Sequence, residues 1–326
     1  MNATQDKPII AIVVPCYNEE EVLPFTAEMM FAKIQQFVAE QFISEKSTAL
    51  FVDDGSKDNT WGLIEKYHRE NPIAFSGIKM SGNKGHQNAL LCGLLSIKNY
   101  ADAAISIDAD LQDDIDAIDE MIKKYSEGYE IVFGVRSDRK KDSFIKRKVA
   151  QGFYRLIRFL GADTIYNHAD FRLMGKQALC ALAEYQEVNL FLRGIVPTLL
   201  GYKTCNVYFS RKERFAGTRK YTVRKLIKLA IDGITSFSIK PIRLITILGL
   251  LIFIASIILV TYFIICYFSD NVIPGWASIV CSIWGIGGLI LLSIGIVGEY
   301  IGKMYLETKH RPRFHVEKFL FENKKI

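Results

Sequence analysis

The chain has 326 residues, of which 50% are hydrophobic, a mean hydropathy of +0.14 and a formal net charge of +6. This length suits one large domain or two ordinary ones, and the hydropathy is slightly high for a purely soluble protein. The six cysteines form no C-x-x-C pair and the five histidines show no metal-ligand spacing. The sequence therefore indicates neither a zinc site nor a disulfide framework.

The first part of the chain alternates strand and helix patterns. Short apolar runs predict strands at 9–14, 48–52, 74–80, 103–107 and 130–134. The intervening stretches predict helices at 19–39, 58–67, 87–97 and 114–125. Strands separated by helices of this length predict βαβ units and a mostly parallel sheet covered on both faces. Ligands of such sheets bind beyond the carboxyl ends of the strands.

Polar clusters follow three of the predicted strands, at 15–20, 53–58 and 108–113. In the third cluster, Asp108 and Asp110 stand two residues apart, and neighbouring carboxylates repel each other unless a positive charge lies between them. Mg²⁺ characteristically takes one or two carboxylates together with substrate phosphates. A solvated acidic turn that opens a helix is the alternative.

Basic residues dominate two stretches of the second part. Residues 136–148 contain seven Lys or Arg, and aromatic and aliphatic side chains then interleave with Arg155 and Arg158. This pattern is typical of a helix in a membrane interface, although an ordinary surface helix fits it equally well. Residues 211–228 contain eight Lys or Arg against one acidic residue, and Gly217 suggests a backbone turn around an anion.

Two long uncharged runs follow, 25 residues at 244–268 and 22 residues at 277–298. At about 1.5 Å per helical residue, each is long enough to cross a hydrocarbon core of about 30 Å. Buried core helices are the alternative. The connector 269–276 contains no Lys or Arg, whereas basic residues flank both outer ends. The positive-inside rule therefore predicts a connector outside and both termini in the cytoplasm.

Six motifs complete the pattern. In chain order they are P-C-Y-N-E from residue 15, V-D-D-G-S-K-D from 52, S-G-N-K-G-H-Q from 81, D-A-D-L-Q-D from 108, A-D-F-R-L-M from 169 and R-F-A-G-T-R-K-Y from 214. Together with the two apolar runs they resemble the inverting family 2 glycosyltransferases with a GT-A fold, in the polyprenyl-phosphate branch that includes dolichyl-phosphate mannose synthase and undecaprenyl-phosphate glucosyltransferases. The resemblance covers nearly the whole chain. The sequence departs from the family pattern at Gly82, where relatives often carry a larger or basic residue. This departure affects only the expected local contacts with the donor.

The resemblance implies an α/β fold: a GT-A (Rossmann-like), mostly parallel sheet domain followed by interfacial helices and two transmembrane helices. Four regions are expected. They are a nucleotide-sugar-binding core at 1–135, an acceptor-side and membrane-interface region at 136–243, a transmembrane helical hairpin at 244–298 and a cytoplasmic tail at 299–326.

The implied reaction is inverting transfer of a sugar to a polyprenyl phosphate such as undecaprenyl phosphate. Similarity to the bacterial two-span branch favours glucose from UDP-glucose, while mannose, N-acetylglucosamine and 4-amino-arabinose-type donors stay open. The implied partners are the nucleotide sugar, the lipid, the membrane and further copies of the chain, up to a tetramer, with no nucleic acid. The implied location is the cytoplasmic face of the bacterial inner membrane, with a multi-pass anchor.

The resemblance also assigns roles to individual residues. Asp108, Asp110 and Gln112 would hold Mg²⁺ or Mn²⁺, which neutralises the leaving diphosphate. Asp110 and Asp170 are the catalytic candidates, Asp170 as a group that orients the acceptor or accepts a sugar hydroxyl. A helix or turn cap is the alternative for Asp170. The donor-binding candidates are Pro15, Tyr17, Asn18, Glu19, Asp53, Asp54, Lys84, Asp108 and Arg136. For Asn18 and Glu19 a helix start is a compatible second role.

An acceptor phosphate is mostly dianionic at pH 7, so it needs little help from a base. It does need cations beside a diphosphate, because two like charges at 4 Å repel by about 4 kcal/mol at a dielectric of 20. The candidates for this role are Arg136, Arg147, Arg172, Arg211, Arg214 and Lys220. His86 lies in a loop that could face the donor, whereas a lone histidine is more often a structural hydrogen-bonding residue.

Three other functions fit parts of the pattern. A processive polysaccharide synthase would carry a Q-x-x-R-W signature, but none of the tryptophans, at 61, 276 and 284, follows an arginine. A non-enzymatic membrane scaffold would not need Asp53, Asp108 and Asp110. A lipid-linked sugar flippase would need more than two spans for a pathway, unless several chains assemble.

Overall fold

The structure is a computed structural model that describes residues 7–137, 168–188, 192–198, 201–210, 240–268 and 275–322. The predicted interface helix lies outside these residues. So do four predicted acceptor-phosphate residues, namely Arg147, Arg211, Arg214 and Lys220.

The described elements alternate as the sequence predicts up to residue 136. In order they are β1 (Ile10–Cys16), α1 (Leu23–Ala39), β2 (Thr48–Asp53), α2 (Thr60–Glu70), β3 (Phe75–Met80), α3 (His86–Ile97), β4 (Ala103–Ser106), α4 (Ala117–Ser126) and β5 (Ile131–Arg136). They are followed by β6 (His168–Gly175), α5 (Lys176–Glu184), α6 (Leu192–Ile195), a 3₁₀ turn (Val196–Thr198), β7 (Thr204–Phe209), α7 (Lys240–Phe268), α8 (Trp276–Thr308) and β8 (Val316–Leu320).

The strands form one sheet in the order β7-β5-β6-β4-β1-β2-β3-β8. The four strands β4, β1, β2 and β3 are parallel neighbours, and β5 is parallel to β7. β6 runs antiparallel between β4 and β5. The predicted mostly parallel sheet is therefore confirmed, and its parallel centre brings four carboxyl ends to one edge.

The central strands are buried on both faces, which explains their continuous apolar sequences. All seven residues of β1 and all six of β2 are buried. On α1, Leu23, Ala27, Met30, Ile34 and Phe37 recur at intervals of three or four residues and join the same core. This is the spacing of one helical face, so α1 covers the sheet with a single apolar stripe.

The end of the chain adds an edge strand to the sheet. β8 pairs antiparallel with β3, with Gly77 opposite Leu320 and Met80 opposite Val316. Ion pairs reinforce the pairing, Lys79 with Glu317 at 2.9 Å and Lys318 with Glu65 at 3.2 Å. The region predicted as a cytoplasmic tail therefore includes the last turns of α8 and a strand of the sheet.

The chain divides into a sheet unit, which contains β1 to β8, and a helical unit, which contains α7 and α8. α7 is 29 residues long and α8 is 33. Within the described residues, one stretch, Gly285–Thr308, is long and apolar enough to cross a membrane, and its side chains are not buried by protein. This finding supports the second of the two predicted spans, although the stretch lies later in the sequence than the predicted 277–298. The other span stays a prediction.

Candidate functional site

The loops after β1, β2 and β3 meet at the carboxyl edge of the sheet. The Asp54 amide donates to the Cys16 carbonyl at 2.9 Å, which joins the first loop to the second. The Lys84 and Gly85 amides donate to the Asp54 carboxylate at 2.6 and 2.9 Å, which joins the second to the third. The predicted convergence of the polar clusters at 15–20 and 53–58 is thus a feature of the fold, as expected for parallel strands.

Asn18 and Glu19 build the first loop. The Asn18 amide donates to Ser56 Oγ at 2.9 Å, and its side-chain oxygen accepts from the Lys57 amide at 2.8 Å. The Glu19 amide donates to Thr60 Oγ1 at 2.9 Å. Asn18 has φ 53°, a left-handed conformation that Asn tolerates well. These bonds hold residues 18–22 outside the helix, so α1 begins at Leu23. The side chains of Asn18 and Glu19 therefore do not cap α1.

Two glycines allow the loops to approach this closely. Gly55 has φ 68°, and a Cβ there would lie 2.7 Å from the Asn83 amide nitrogen. Gly85 has φ 88°, and its amide donates a hydrogen bond to the Asp54 carboxylate. Positive φ is accessible to glycine without strain, which explains the D-D-G and K-G patterns in chemical terms.

Asp53 and Asp54 are both buried but differ in their partners. Both oxygens of Asp54 accept backbone amides, whereas Asp53 Oδ1 accepts the Ser56 amide at 3.0 Å and Oδ2 has no hydrogen-bond partner among the described residues. Burial raises the pKa of both carboxyls above their ordinary value, and the hydrogen bonds oppose that shift. An unpaired buried acceptor costs about 1–3 kcal/mol, so Asp53 is the one suited to receive a donor group from a ligand.

Asp53→Asn is expected to stabilise the folded protein at neutral pH, because it removes a buried charge and keeps the oxygen that accepts from Ser56. A gain of about 2–4 °C in the unfolding midpoint corresponds to about 1 kcal/mol in a domain of this size. The raised pKa of Asp53 means that the wild type recovers stability as the pH falls towards the unfolded value of about 3.9. The difference between the two proteins should therefore shrink as the pH is lowered. Thermal unfolding at several pH values tests this, and a destabilised variant at pH 7 would contradict it.

The D-A-D-L-Q-D segment leaves β4 at the same edge. Leu111 has φ 54°, and the Gln112 amide donates to Asp110 Oδ1 at 3.3 Å. Across the described residues, no group of three or more His, Cys, Asp or Glu side chains is arranged to hold a metal ion. Two carboxylates and an amide are nevertheless the hard oxygen ligands that Mg²⁺ uses when substrate phosphates complete its shell. Asp108, Asp110 and Gln112 therefore fit a divalent cation by their chemistry.

Asp113, at the end of that segment, anchors Arg136. Asp113 is buried, and its Oδ1 lies 3.3 Å from Arg136 Nη2 at the end of β5. Arg136 is partly exposed at this edge, as its predicted donor-binding role requires. The sequence analysis did not single out Asp113, although its place in the motif was the available signal.

Asp170 lies in β6, so the alternative of a helix or turn cap does not apply. Its Oδ1 lies 2.9 Å from Arg172 Nη2, and its Oδ2 lies 3.8 Å from His86 Nε2. The same Nε2 is 3.3 Å from Asp108 Oδ1. The structure thus brings Asp170 and Asp108 together around His86, a residue that the sequence did not connect with either carboxylate.

Arg172 differs from its prediction as an acceptor-phosphate residue. Its side chain is 1% exposed, and its guanidinium donates to Asp170 and, at 3.3 Å, to the Leu192 carbonyl. A phosphate on a lipid could not reach a guanidinium buried in this way. The structure places Arg172 behind Asp170 instead.

The remaining predicted donor residues lie beside these loops. Pro15 is part of β1, opposite Val52, although the sequence suggested that it ends the strand. β4 pairs with β1 only as far as Val13, so the missing amide of Pro15 removes no ladder bond on that side. Tyr17 is half-buried just beyond the strand, and the Lys84 side chain is exposed.

Sequence comparison identifies related glycosyltransferases. Residues 11–181 match the sequence model described as Glycosyl transferase family 2. An uncharacterised glycosyltransferase of Bacillus subtilis, YkoT, is 50% identical over 96% of this chain and 92% of its own length. The bactoprenol glucosyl transferase of Shigella phage SfX is 37% identical over 94% of this chain and 98% of its own length. Among solved structures, mannosyl-3-phosphoglycerate synthase from Rubrobacter xylanophilus has a TM-score of 0.47 and 14% identity over 69% of this chain and 71% of that chain.

Proposed function

We propose that this chain, which belongs to glycosyl transferase family 2, transfers glucose from UDP-glucose to the phosphate of a polyprenyl lipid. That it is a glycosyltransferase follows from the family and from relatives that match nearly its whole length. The bactoprenol glucosyl transferase of phage SfX supports a polyprenyl phosphate as the acceptor and glucose as the sugar. Mannose, N-acetylglucosamine and 4-amino-arabinose-type donors are the alternatives.

The observation that carries the proposal is the position of His86 Nε2, 3.3 Å from Asp108 and 3.8 Å from Asp170. Asp108 belongs to the motif that would grip the donor diphosphate, and Asp170 to the motif that would face the acceptor. A direct displacement needs both groups within a few ångströms of one anomeric carbon. A common imidazole between the two carboxylates meets that requirement.

The donor would lie across the loops at the carboxyl edge. Asp53 Oδ2 offers a buried acceptor to an N–H of the base or to a ribose hydroxyl. Tyr17, directly after β1, would pack on the base. Asp108, Asp110 and Gln112 would hold Mg²⁺ or Mn²⁺, which supplies the positive charge that a departing diphosphate needs. Arg136, fixed by Asp113, would add a forked contact to phosphate. Asp53→Asn should accordingly weaken donor binding while it stabilises the fold.

The acceptor phosphate would attack the anomeric carbon from the face opposite the diphosphate. This geometry inverts the centre, so an α-linked donor gives a β-linked lipid product. Asp170 would orient the acceptor or accept a sugar hydroxyl, because a phosphate dianion needs little deprotonation. Arg147, Arg211, Arg214 and Lys220 are the cations proposed to hold the acceptor.

Membrane attachment by two crossings is part of the proposal. The segment that contains α7 and α8 begins and ends in the sheet unit, because β8 pairs with β3. A chain that leaves a domain on one side of a membrane and returns to it crosses an even number of times. If Gly285–Thr308 crosses, a second segment must cross as well, and α7 supplies 29 residues for it. The basic flanks then favour a cytoplasmic sheet unit at the bacterial inner membrane. Assembly into a tetramer stays a prediction.

The direct test is transfer from radiolabelled UDP- and GDP-sugars to undecaprenyl phosphate. We expect label in the lipid phase with UDP-glucose and Mg²⁺ or Mn²⁺, and its loss with EDTA. In sealed membrane vesicles, where nucleotide sugars do not cross, label should form only in inverted vesicles. The absence of lipid label with every donor, in protein shown to be folded, would contradict the proposed function. Label in right-side-out vesicles would contradict the cytoplasmic orientation alone.

A further inference from the structure

We propose that His86 is a positioning residue that sets the separation between Asp170 and Asp108, and that a closed ring of contacts holds it there. This inference rests on the proposed function. It concerns a side chain that the sequence motifs alone do not connect with either carboxylate. The ring is built from three separate parts of the chain: the start of α3, β6 and the start of α6.

The first half of the ring fixes Asp170. Arg172 is buried, and its Nη2 lies 2.9 Å from Asp170 Oδ1. Its Nη1 donates to the Leu192 carbonyl at 3.3 Å, so the guanidinium is held at both ends of its fork. Ser106 Oγ donates to the Asp170 carbonyl and ties the backbone of β6 to β4. One oxygen of Asp170 is thereby fixed, and the second, Oδ2, is the one nearest to His86.

The second half of the ring fixes α3. Leu192, whose carbonyl accepts from Arg172, also donates its amide to Gln87 Oε1 at 3.1 Å. Gln87 follows His86 in the first turn of α3. The contacts therefore run from His86 through Gln87, Leu192 and Arg172 to Asp170 and return to His86. The start of α3, which carries His86, is thereby tied to the strand that carries Asp170.

The chemistry of the contact favours one tautomer. Among the described residues, two carboxylate oxygens lie near Nε2, Asp108 Oδ1 at 3.3 Å and Asp170 Oδ2 at 3.8 Å. A carboxylate accepts and does not donate, so we expect the neutral ring to carry its proton on Nε2. Two carboxylates alone would repel each other, and an N–H between them offsets that repulsion. His86 thus keeps Asp170 at a defined distance from the diphosphate-binding motif.

This role predicts an effect on turnover and not on donor affinity. Asp53 and Asp110 are held by hydrogen bonds that do not involve the imidazole, so the donor contacts proposed for them should persist. What is lost is the alignment of Asp170 with the reacting carbon, and a misplacement of about 1 Å costs roughly 100-fold in rate. His86 is partly exposed, with 42% of its side chain accessible, so substitutions there should fold normally.

Three substitutions at residue 86 distinguish the loss of a correctly placed N–H group from the loss of side-chain volume. The amide nitrogen of His86→Gln can stand near the position of Nε2, whereas that of His86→Asn stands near Nδ1, and His86→Ala supplies neither. We expect kcat within about fivefold of wild type for Gln, and a loss of roughly 10–100-fold for Asn and Ala. The dissociation constant for UDP-glucose should stay within about threefold in all three. His68→Gln, on α2 and away from the site, is the control and should leave kcat unchanged.

A second readout does not depend on transfer. In ¹⁵N-labelled protein, the His86 ring should show the Nε2-protonated tautomer, identified by the signals that disappear in His86→Gln. Full turnover of His86→Ala, equal losses for Gln and Ala, or the Nδ1-protonated tautomer would each overturn the inference. An inactive wild type would instead count against the proposed function, so the two failures are distinguishable.

Discussion

Asp170→Asn is expected to lower turnover by about 100-fold or more while donor affinity stays within about threefold. The substitution keeps the shape of the side chain but removes the charge proposed to orient the acceptor or accept a sugar hydroxyl. The proposed donor contacts come from other strand ends, so they should persist. The measurements are steady-state transfer and equilibrium binding of UDP-glucose. Unchanged turnover would remove Asp170 from the mechanism.

A matched variant separates this effect from a loss of stability. Asp170→Asn leaves the Arg172 guanidinium buried without its counter-charge, and breaking a buried ion pair can cost about 3–5 kcal/mol. Replacing both residues, as Asp170→Asn with Arg172→Met, removes the uncompensated charge. The double variant should regain thermal stability and remain inactive. Recovery of turnover in the double variant would show that Asp170 acts through folding only.

Ending the chain after Lys309 is expected to abolish donor binding and lower the unfolding midpoint by more than about 5 °C, because an edge strand with two ion pairs is lost. The effect on binding follows from the path of the chain. The Ser81 amide donates to the His315 carbonyl at 3.0 Å, directly after β3. The next residues form the loop whose Lys84 and Gly85 amides hold Asp54. Without β8 that loop loses its support.

The control for this deletion is a chain that ends after residue 322. It keeps β8 together with Phe321, whose ring packs against Tyr100 with centroids 4.7 Å apart. Its donor affinity and unfolding midpoint should equal those of the full chain. A chain ending after Lys309 with normal donor affinity would show that β8 is dispensable for the site.

The first half of the fold was predictable because its signals are local. Continuous apolar runs identify β1 and β2, and the glycines at 55 and 85 mark loops whose backbone needs positive φ. β6 and β8 lack such signals. β6 carries Asp170 and Arg172 on buried positions, where they pair with each other. β8 has five residues, two of them charged, and its Glu317 pairs with Lys79 across 238 residues of sequence.

The candidate site was predictable as a set of residue types and not as a set of roles. Asp53 and Asp54 are identical in sequence terms, yet only Asp53 keeps an oxygen without a partner among the described residues. Arg172 resembles the other basic candidates until its burial is known. His86 gains significance only because β4 and β6 bring two carboxylates to it. Each of these distinctions depends on contacts between distant segments, which residue spacing does not encode.

The position of β8 in the sequence sets the order of events during synthesis. The ribosome makes β3 more than two hundred residues before its partner, and both long apolar helices emerge in between. Until β8 has left the ribosome, β3 has an unpaired edge, which is a template for wrong pairing. The sheet is therefore completed only after both long helices have been made. A nascent chain that still lacks β8 would therefore have an unsupported loop after β3, so the contacts to Asp54 are secured only late in synthesis.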